Sequence, residues 1–107
     1  MKIPCEYKIA GGKTIKVTLH KELSEGKFGD FSPAKNEIRL AKSVEEDDEM
    51  WKQSEEDIER TFYHEMFHSF QWYYNTEFSE EMAQSFSNFM YEMMHTSNGN
   101  LLYDSKE

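Results

Sequence analysis

The sequence predicts an α+β fold, in which a small and mostly antiparallel sheet of three or four strands precedes two antiparallel helices. Residues 1–42 contain β-branched and aromatic residues that alternate with polar ones, a pattern typical of strands with one face in solvent. Residues 54–95 instead carry apolar residues at helical spacing. The 107 residues suffice for one domain with a modest core, so residues 1–107 are predicted to form a single domain.

The first hairpin is predicted from residues 5–10 and 13–23, which flank Gly11 and Gly12. Paired glycines readily adopt the positive φ angles that a two-residue hairpin turn requires. In the second segment apolar and polar residues alternate, and His20 falls on the polar side. His20 is therefore predicted to be a surface residue and not a metal ligand.

A second pair of strands is predicted at residues 27–31 and 37–41, separated by a loop that contains Pro33 and Asn36. Residues 43–53 follow as an acidic linker, either a solvated loop or the outer face of a first helical turn. The acids of this linker are consecutive and do not alternate around a central glycine, as they do in an EF-hand loop. No calcium site is therefore predicted there.

One long helix is predicted over residues 54–74. Ser54 is a suitable N-cap, and the three acids after it favour the positive end of the helix dipole. The apolar residues of this segment do not keep to one stripe. We therefore expect the helix to be covered on most of its circumference, as a central element would be.

The most specific pattern in the chain lies within this helix, at His64-Glu65-Met66-Phe67-His68. Histidines four residues apart lie on one helix face, about one turn (~6 Å) apart, so both imidazoles can reach a single metal ion. Glu65 lies a step round the same face, where it can contact a water rather than the metal itself. Glu65 is therefore the candidate general base.

A zinc site of this kind usually has a third protein ligand and leaves one position for water. A second helix is predicted over residues 79–94, and an antiparallel return would bring its first turn back near His68. Glu80 and Glu81 are thus the candidate carboxylates. His95 lies about four turns further on, so a helix-end or surface role is predicted for it.

The choice between the two carboxylates depends on which helix face each one shares. Glu80 shares its face with Ala83, whose small side chain would let the helices approach closely. Glu81 shares a more polar face with Gln84. We therefore prefer Glu80 as the third ligand and keep Glu81 as the second choice.

The charge of the chain is uneven. The net charge is −9, but residues 1–42 hold nine Lys and Arg against five acids, whereas residues 43–107 hold three against sixteen. Nucleic acid is therefore not an expected partner. No apolar run approaches 18 residues and no signal-peptide pattern is present, so no membrane association and a cytoplasmic location are expected. The lone Cys5 excludes an internal disulfide and is predicted to be a bystander.

The histidine motif, followed by Glu80, Ala83, Gln84 and Phe86, resembles the gluzincin type of zincin metallopeptidase. The resemblance covers residues 36–94 and is greatest to the compact ImmA/IrrE-like proteins often carried by phages and mobile elements. Their second segment reads Glu-x-x-Ala-Asn-x-Phe, which is an independent reason to choose Glu80. Gln84 stands here in place of the usual Asn, and the spacing from the histidine motif to Glu80 is shorter than is common in that family.

The resemblance implies a peptide or protein substrate, with a transcriptional regulator as one candidate, and a cofactor, Zn²⁺, held by His64, His68 and Glu80. It also implies that an edge strand of the sheet, here residues 37–41, pairs with an extended substrate. Glu65 would take a proton from water and return it to the leaving amine. An oxyanion stabiliser is also needed; the candidates are Tyr63, Tyr73, Tyr74, Tyr91 and Tyr103.

Two other interpretations remain open. The same site could be a structural or regulatory zinc centre in a non-catalytic binding protein that docks through its acidic helical half. Without any metal, the methionines at 90, 93 and 94 could form a core or a dimer interface, and a core role is predicted for them. The tail, residues 96–107, begins as a turn, and residues 101–103 are expected to fold back on the sheet or to remain loose.

Overall fold

A computed structural model describes residues 2–96 and confirms the predicted α+β class. Four strands form one sheet in the spatial order β1-β2-β4-β3, and a two-stranded hairpin and two helices follow it. In chain order the elements are β1 (Glu6–Ile9), β2 (Lys13–His20), β3 (Gly29–Ser32), β4 (Glu37–Ala41), β5 (Ser43–Glu46), β6 (Glu49–Lys52), α1 (Glu55–Tyr73) and α2 (Glu80–Thr96). The prediction for the tail at residues 97–107 lies outside the described residues.

The sheet is mostly antiparallel, as the alternation predicts. The pairs β1–β2 and β3–β4 are antiparallel, whereas β2 and β4 run parallel. The first turn contains Gly11 and Gly12 with φ of +79° and +114°, and Ala10 also adopts a positive φ of 50°. Because Ala10 joins the turn, the loop between β1 and β2 has three residues where two were expected.

The expectation that residues 37–41 form an edge strand is wrong. Strand β4 lies inside the sheet, between β2 and β3, and Ile38, Leu40 and Ala41 are buried. The edge strand on this side of the sheet is β3, which contacts α1. Strand order depends on contacts between distant segments, and the composition of β4 does not reveal it.

The prediction of a linker at residues 43–53 is also wrong, because β5 and β6 pair there as a hairpin. Asp47 and Asp48 form its turn with φ of 53° and 62°, which Asp tolerates better than most residues do. Val44 packs with Leu23 and Ala41 in a small second core. The acidic side chains lie in solvent, as predicted, but their backbone is paired.

Helix α1 begins where the N-cap pattern predicts, since the Asp57 backbone N–H donates to the Ser54 hydroxyl at 3.1 Å. Ile58 and Phe62 pack on the sheet, and α2 packs against α1 through the fully buried Ala83 and Ser87. The expectation that α1 is covered on most of its circumference is wrong at its C-terminal end, where aromatic side chains are exposed. Among the residues described, neither helix combines the length and apolar character needed to span a membrane.

The methionines of α2 divide between two environments. Met90 and Met94 pack against the core, as predicted. Met93 is exposed, so the predicted core role is wrong for this residue. It lies on a neighbouring stripe of the helix with Met82 and Phe89, which are also exposed.

Gly29 marks the point where β3 crosses α1. A Cβ atom at this position would lie 2.7 Å from Cγ2 of Thr61 and 2.9 Å from the backbone oxygen of Arg39. We expect Gly29→Ala to lower the free energy of unfolding by about 1–2 kcal/mol, because the backbone atom cannot move aside cheaply. Urea denaturation measures this loss. Adding Thr61→Ala should restore only part of it, and an unchanged midpoint for Gly29→Ala would contradict the close packing.

Candidate metal centre

The structure brings three of the predicted site residues together. His64 and His68 lie one turn apart on α1, with ring centroids 4.8 Å apart. Glu80, the first residue of α2, places its oxygens 2.8 Å from Nε2 of His64 and 3.0 Å from Nε2 of His68. One ligand atom from each of the three lies within 4.8 Å of the others. Glu81, the second choice, instead lines a groove on the outer side of the helices.

The short connection between the helices brings Glu80 back to α1. Asn75 has a positive φ of 53°, and the Thr76 N–H donates to the Gln71 carbonyl, which reverses the chain. Ser79 then accepts from the Met82 N–H at 3.1 Å and caps α2. Phe78 stacks on the His68 ring at 4.5 Å and 11°. The connection therefore packs on His68 through Phe78, and it positions Glu80 at the start of α2.

The hydrogen bonds of His68 set its tautomer. The Gln71 amide N–H donates to the Glu77 carbonyl at 2.7 Å, so the Gln71 Oε1 faces His68 and accepts from Nδ1–H at 2.8 Å. In a neutral ring Nε2 then carries the lone pair. His68 is only 8% exposed, and its Nε2 makes no well-formed hydrogen bond within residues 2–96, although Oε1 of Glu80 lies 3.0 Å away. A buried polar atom of this kind requires an explanation.

His64 is oriented in the same way by a chain of three side chains. Arg60 can only donate, and its Nη1 donates to Oδ1 of Asn88 at 2.8 Å. The Gln84 amide N–H also donates to Oδ1 of Asn88, at 3.4 Å, so Oε1 of Gln84 faces Nδ1 of His64 at 3.3 Å. Nδ1 is therefore the donor, and Nε2 of the neutral ring presents a lone pair to Glu80.

Two imidazole lone pairs and a carboxylate thus converge with no hydrogen atom between them while the rings are neutral. Such an arrangement is satisfied by a cation, either a proton or a metal ion. Two nitrogens and one oxygen at this spacing fit the donor set of an open zinc site, which keeps a fourth position for water or substrate. The residues present therefore fit the ion that the sequence predicts.

Glu65 lies beside this cluster at the floor of a cleft of about 860 Å³ that also contains Gly29, Asp30 and Phe31 of β3. Burial raises the pKa of Glu65, and the carboxylates of Glu80 and Asp30 add to the rise, while the two imidazoles oppose it. Its carboxylate makes no hydrogen bond or ion pair to the rest of the described chain, and it lines the cleft.

None of the described candidate tyrosines lines this cleft. Tyr63 donates to Glu59, Tyr73 to Asn36, and Tyr74 accepts from the Ala10 N–H, while Tyr91 stacks on His95. The fifth candidate, Tyr103, lies outside the described residues. Lys27 lines the cleft instead. No local pattern marks Lys27 in the sequence, because it precedes an edge strand that only the fold brings to the helix.

Gln71 orients the imidazole of His68, and Gln84 orients that of His64. Only Gln84 belongs to a sequence motif. We expect Gln71→Leu to weaken zinc binding by about 10- to 100-fold, the usual cost of losing an outer-shell partner. Gln84→Leu should cost less, because its contact to His64 is longer, at 3.3 Å against 2.8 Å. Competition with a chromogenic zinc chelator measures both affinities. Equal affinities for native protein and Gln71→Leu would exclude this role for Gln71.

The two other histidines and the cysteine, for which no site role is predicted, lie elsewhere. His20 hydrogen-bonds Thr18, and His95, at the end of α2, contacts Glu59, while Cys5 is exposed. The spacing of Gln84 predicts only that it lies on a polar helix face, and its place in the family motif is the sequence signal for a role at the site. Gln71 has no such signal. Comparisons of this chain with models of protein families, with curated proteins and with solved structures gave no match.

Proposed function

We propose that this protein is a zinc-dependent peptide hydrolase. The observation that carries the proposal is the convergence of Nε2 of His64 and the buried Nε2 of His68 on the two oxygens of Glu80, at 2.8 Å and 3.0 Å. A purely structural zinc site usually has four protein ligands, whereas residues 2–96 bring three together here. Hydrolysis needs a general base, and Glu65 lies beside the three ligand candidates. A structural zinc site needs no such base.

The residues of the chain have separate roles in this proposal. His64, His68 and Glu80 hold Zn²⁺, which when bound supplies a Lewis acid that polarises a carbonyl and makes water more acidic. Glu65 accepts the proton of the attacking water and returns it to the nitrogen of the leaving amine. Lys27, at the same cleft, supplies positive charge near the carbonyl oxygen as that oxygen becomes negative.

The edge strand β3 offers a place for the substrate backbone. The Ala41 N–H donates to the Phe28 carbonyl, so residues 28, 30 and 32 face β4 by alternation. Gly29 and Phe31 therefore direct their N–H and C=O groups to the open edge. An extended peptide that pairs there would pass along the cleft that contains Glu65. The role that the resemblance assigned to residues 37–41 is thus proposed for β3.

Zinc loading and cleavage are tested together. We expect the native chain to bind one zinc ion and to cleave members of a peptide library, with new termini found by mass spectrometry. Chelation should abolish cleavage and added zinc should restore it. Glu80→Ala should lose zinc binding and peptide cleavage. The neighbouring variant Glu81→Ala is the matched control and should keep both. Stoichiometric zinc without cleavage in any native preparation would favour the non-catalytic zinc module.

A further inference from the structure

A second feature of the molecule lies on the solvent side of the two helices. Six side chains form an apolar surface there, which we name the outer face: Phe67, Phe70, Tyr74, Met82, Phe86 and Phe89. Phe89 is 60% exposed and Met82 58% exposed, which is unusual for such large apolar residues. The outer face contains none of the metal-site residues.

The outer face is built into the helices by periodicity. On α2, positions 82, 86, 89 and 93 recur at spacings of four, three and four, which is the stripe of a helix that packs against another helix. The stripe at 83, 87, 90 and 94 already serves the packing of α2 on the protein. Helix α2 therefore carries two apolar stripes. In the second stripe Phe86 is partly buried against the core, whereas Met82, Phe89 and Met93 are exposed within residues 2–96.

The two helices contribute to one continuous surface. The rings of Phe67 and Phe86 lie 4.9 Å apart and join α1 to α2. Phe70 continues the row from Phe67 at 5.6 Å, and Tyr74 follows at 5.3 Å. A shallow groove runs between the helices beside Phe67, Met82 and Phe89. The surface thus has the shape that accepts a third helix.

The negative charge around the outer face indicates which kind of partner can bind there. Residues 61–96 contain no Lys or Arg, and three of their five glutamates, Glu77, Glu81 and Glu92, lie outside the metal centre. Glu81 lines the groove, and Glu77 and Glu92 are also exposed. A second copy of this chain would bring like charges together, and an anionic lipid surface would be repelled. A helix with one apolar face and basic residues beside that face would complement both the apolar stripe and the glutamates next to it.

We propose that the outer face is a docking site for a cationic amphipathic helix of a partner protein. The apolar side of that helix lies in the groove between α1 and α2, and its Lys or Arg residues face Glu77, Glu81 and Glu92. The proposal does not depend on zinc or on hydrolysis, because no metal-ligand candidate takes part in it.

A fluorescent synthetic helix of Leu and Lys, with Leu at helical spacing, is a suitable probe for fluorescence anisotropy against the full chain. We expect binding that weakens as salt rises. Phe89→Glu should weaken it at least about tenfold, the size expected for an anchor residue of an interface. Trp51→Glu is the matched control, since Trp51 is exposed on the hairpin, and it should bind the probe as the native chain does. Circular dichroism confirms that both variants are folded.

Four outcomes would overturn the proposal. The first is equal binding of a Leu and Glu helix, because charge would then play no part. The second is a dimer of the native chain, seen by sedimentation equilibrium, that Phe89→Glu dissociates, since a second copy would then be the occupant. The third is Phe89-dependent binding to anionic vesicles. The fourth is no probe binding by the full chain, which would mean that the outer face is not available to a partner.

Discussion

Replacing Glu65 with Gln is expected to leave zinc bound and to reduce peptide cleavage by about 10²- to 10⁴-fold, the usual contribution of a general base. Glutamine has nearly the same shape but cannot accept the proton of the attacking water. The metal-ligand candidates His64, His68 and Glu80 are untouched by the change. Rates of cleavage and zinc content, measured on the same preparations, separate the chemical step from metal binding.

The controls for this experiment come from the same cleft. Lys27→Met should lower the rate less than Glu65→Gln does and also leave zinc in place, because Lys27 would assist the developing charge without moving a proton. A Glu65→Gln variant with the native rate would contradict the assignment of Glu65 as base. Zinc loss in that variant would show instead that Glu65 supports the metal.

Replacing Glu59 with Gln should have the largest effect on stability, a loss of about 3 kcal/mol in the free energy of unfolding. Glu59 is 1% exposed and accepts hydrogen bonds from the Lys2 backbone N–H at 3.0 Å, the Tyr63 hydroxyl at 3.0 Å and Nε2 of His95 at 2.6 Å. These bonds tie the N-terminal segment and the end of α2 to α1. An amide has one acceptor atom where the carboxylate has two.

The effect should depend on pH in a defined direction. Burial raises the pKa of Glu59, but the hydrogen bonds from Lys2, His95 and Tyr63 more than offset this, and the pKa is lowered overall. A group whose pKa is lower when folded contributes stability above its unfolded pKa, about 4.3, and loses it as pH falls through the folded value. The difference between native protein and Glu59→Gln should therefore be full at pH 7 and shrink below about pH 4.

Urea denaturation in the presence of a chelator measures this difference without a contribution from metal. Glu56→Gln is the matched control, since Glu56 lies one turn from Arg60 on the solvent side of α1 and its ion pair should be worth under about 0.5 kcal/mol. Equal losses for Glu59→Gln and Glu56→Gln would contradict the importance of the buried carboxylate.

Local patterns were enough to predict much of this molecule. The spacing of His64 and His68 places both imidazoles on one face of any helix, whatever surrounds it. The N-cap at Ser54 and the alternation around Ile15 likewise depend only on neighbours in sequence. The α+β order and, to within two residues, the limits of both helices follow from such patterns, because periodicity and capping are properties of short segments.

The remaining features required the tertiary structure. The burial of β4 inside the sheet, the pairing of β5 with β6, and the position of Lys27 at the cleft arise from contacts between segments far apart in the chain. The support of His68 by Gln71 depends in turn on the Glu77 carbonyl, which the connection between the helices brings into place. Spacing along a helix can bring two imidazoles side by side, but only packing decides which other groups meet them and how their protons are held.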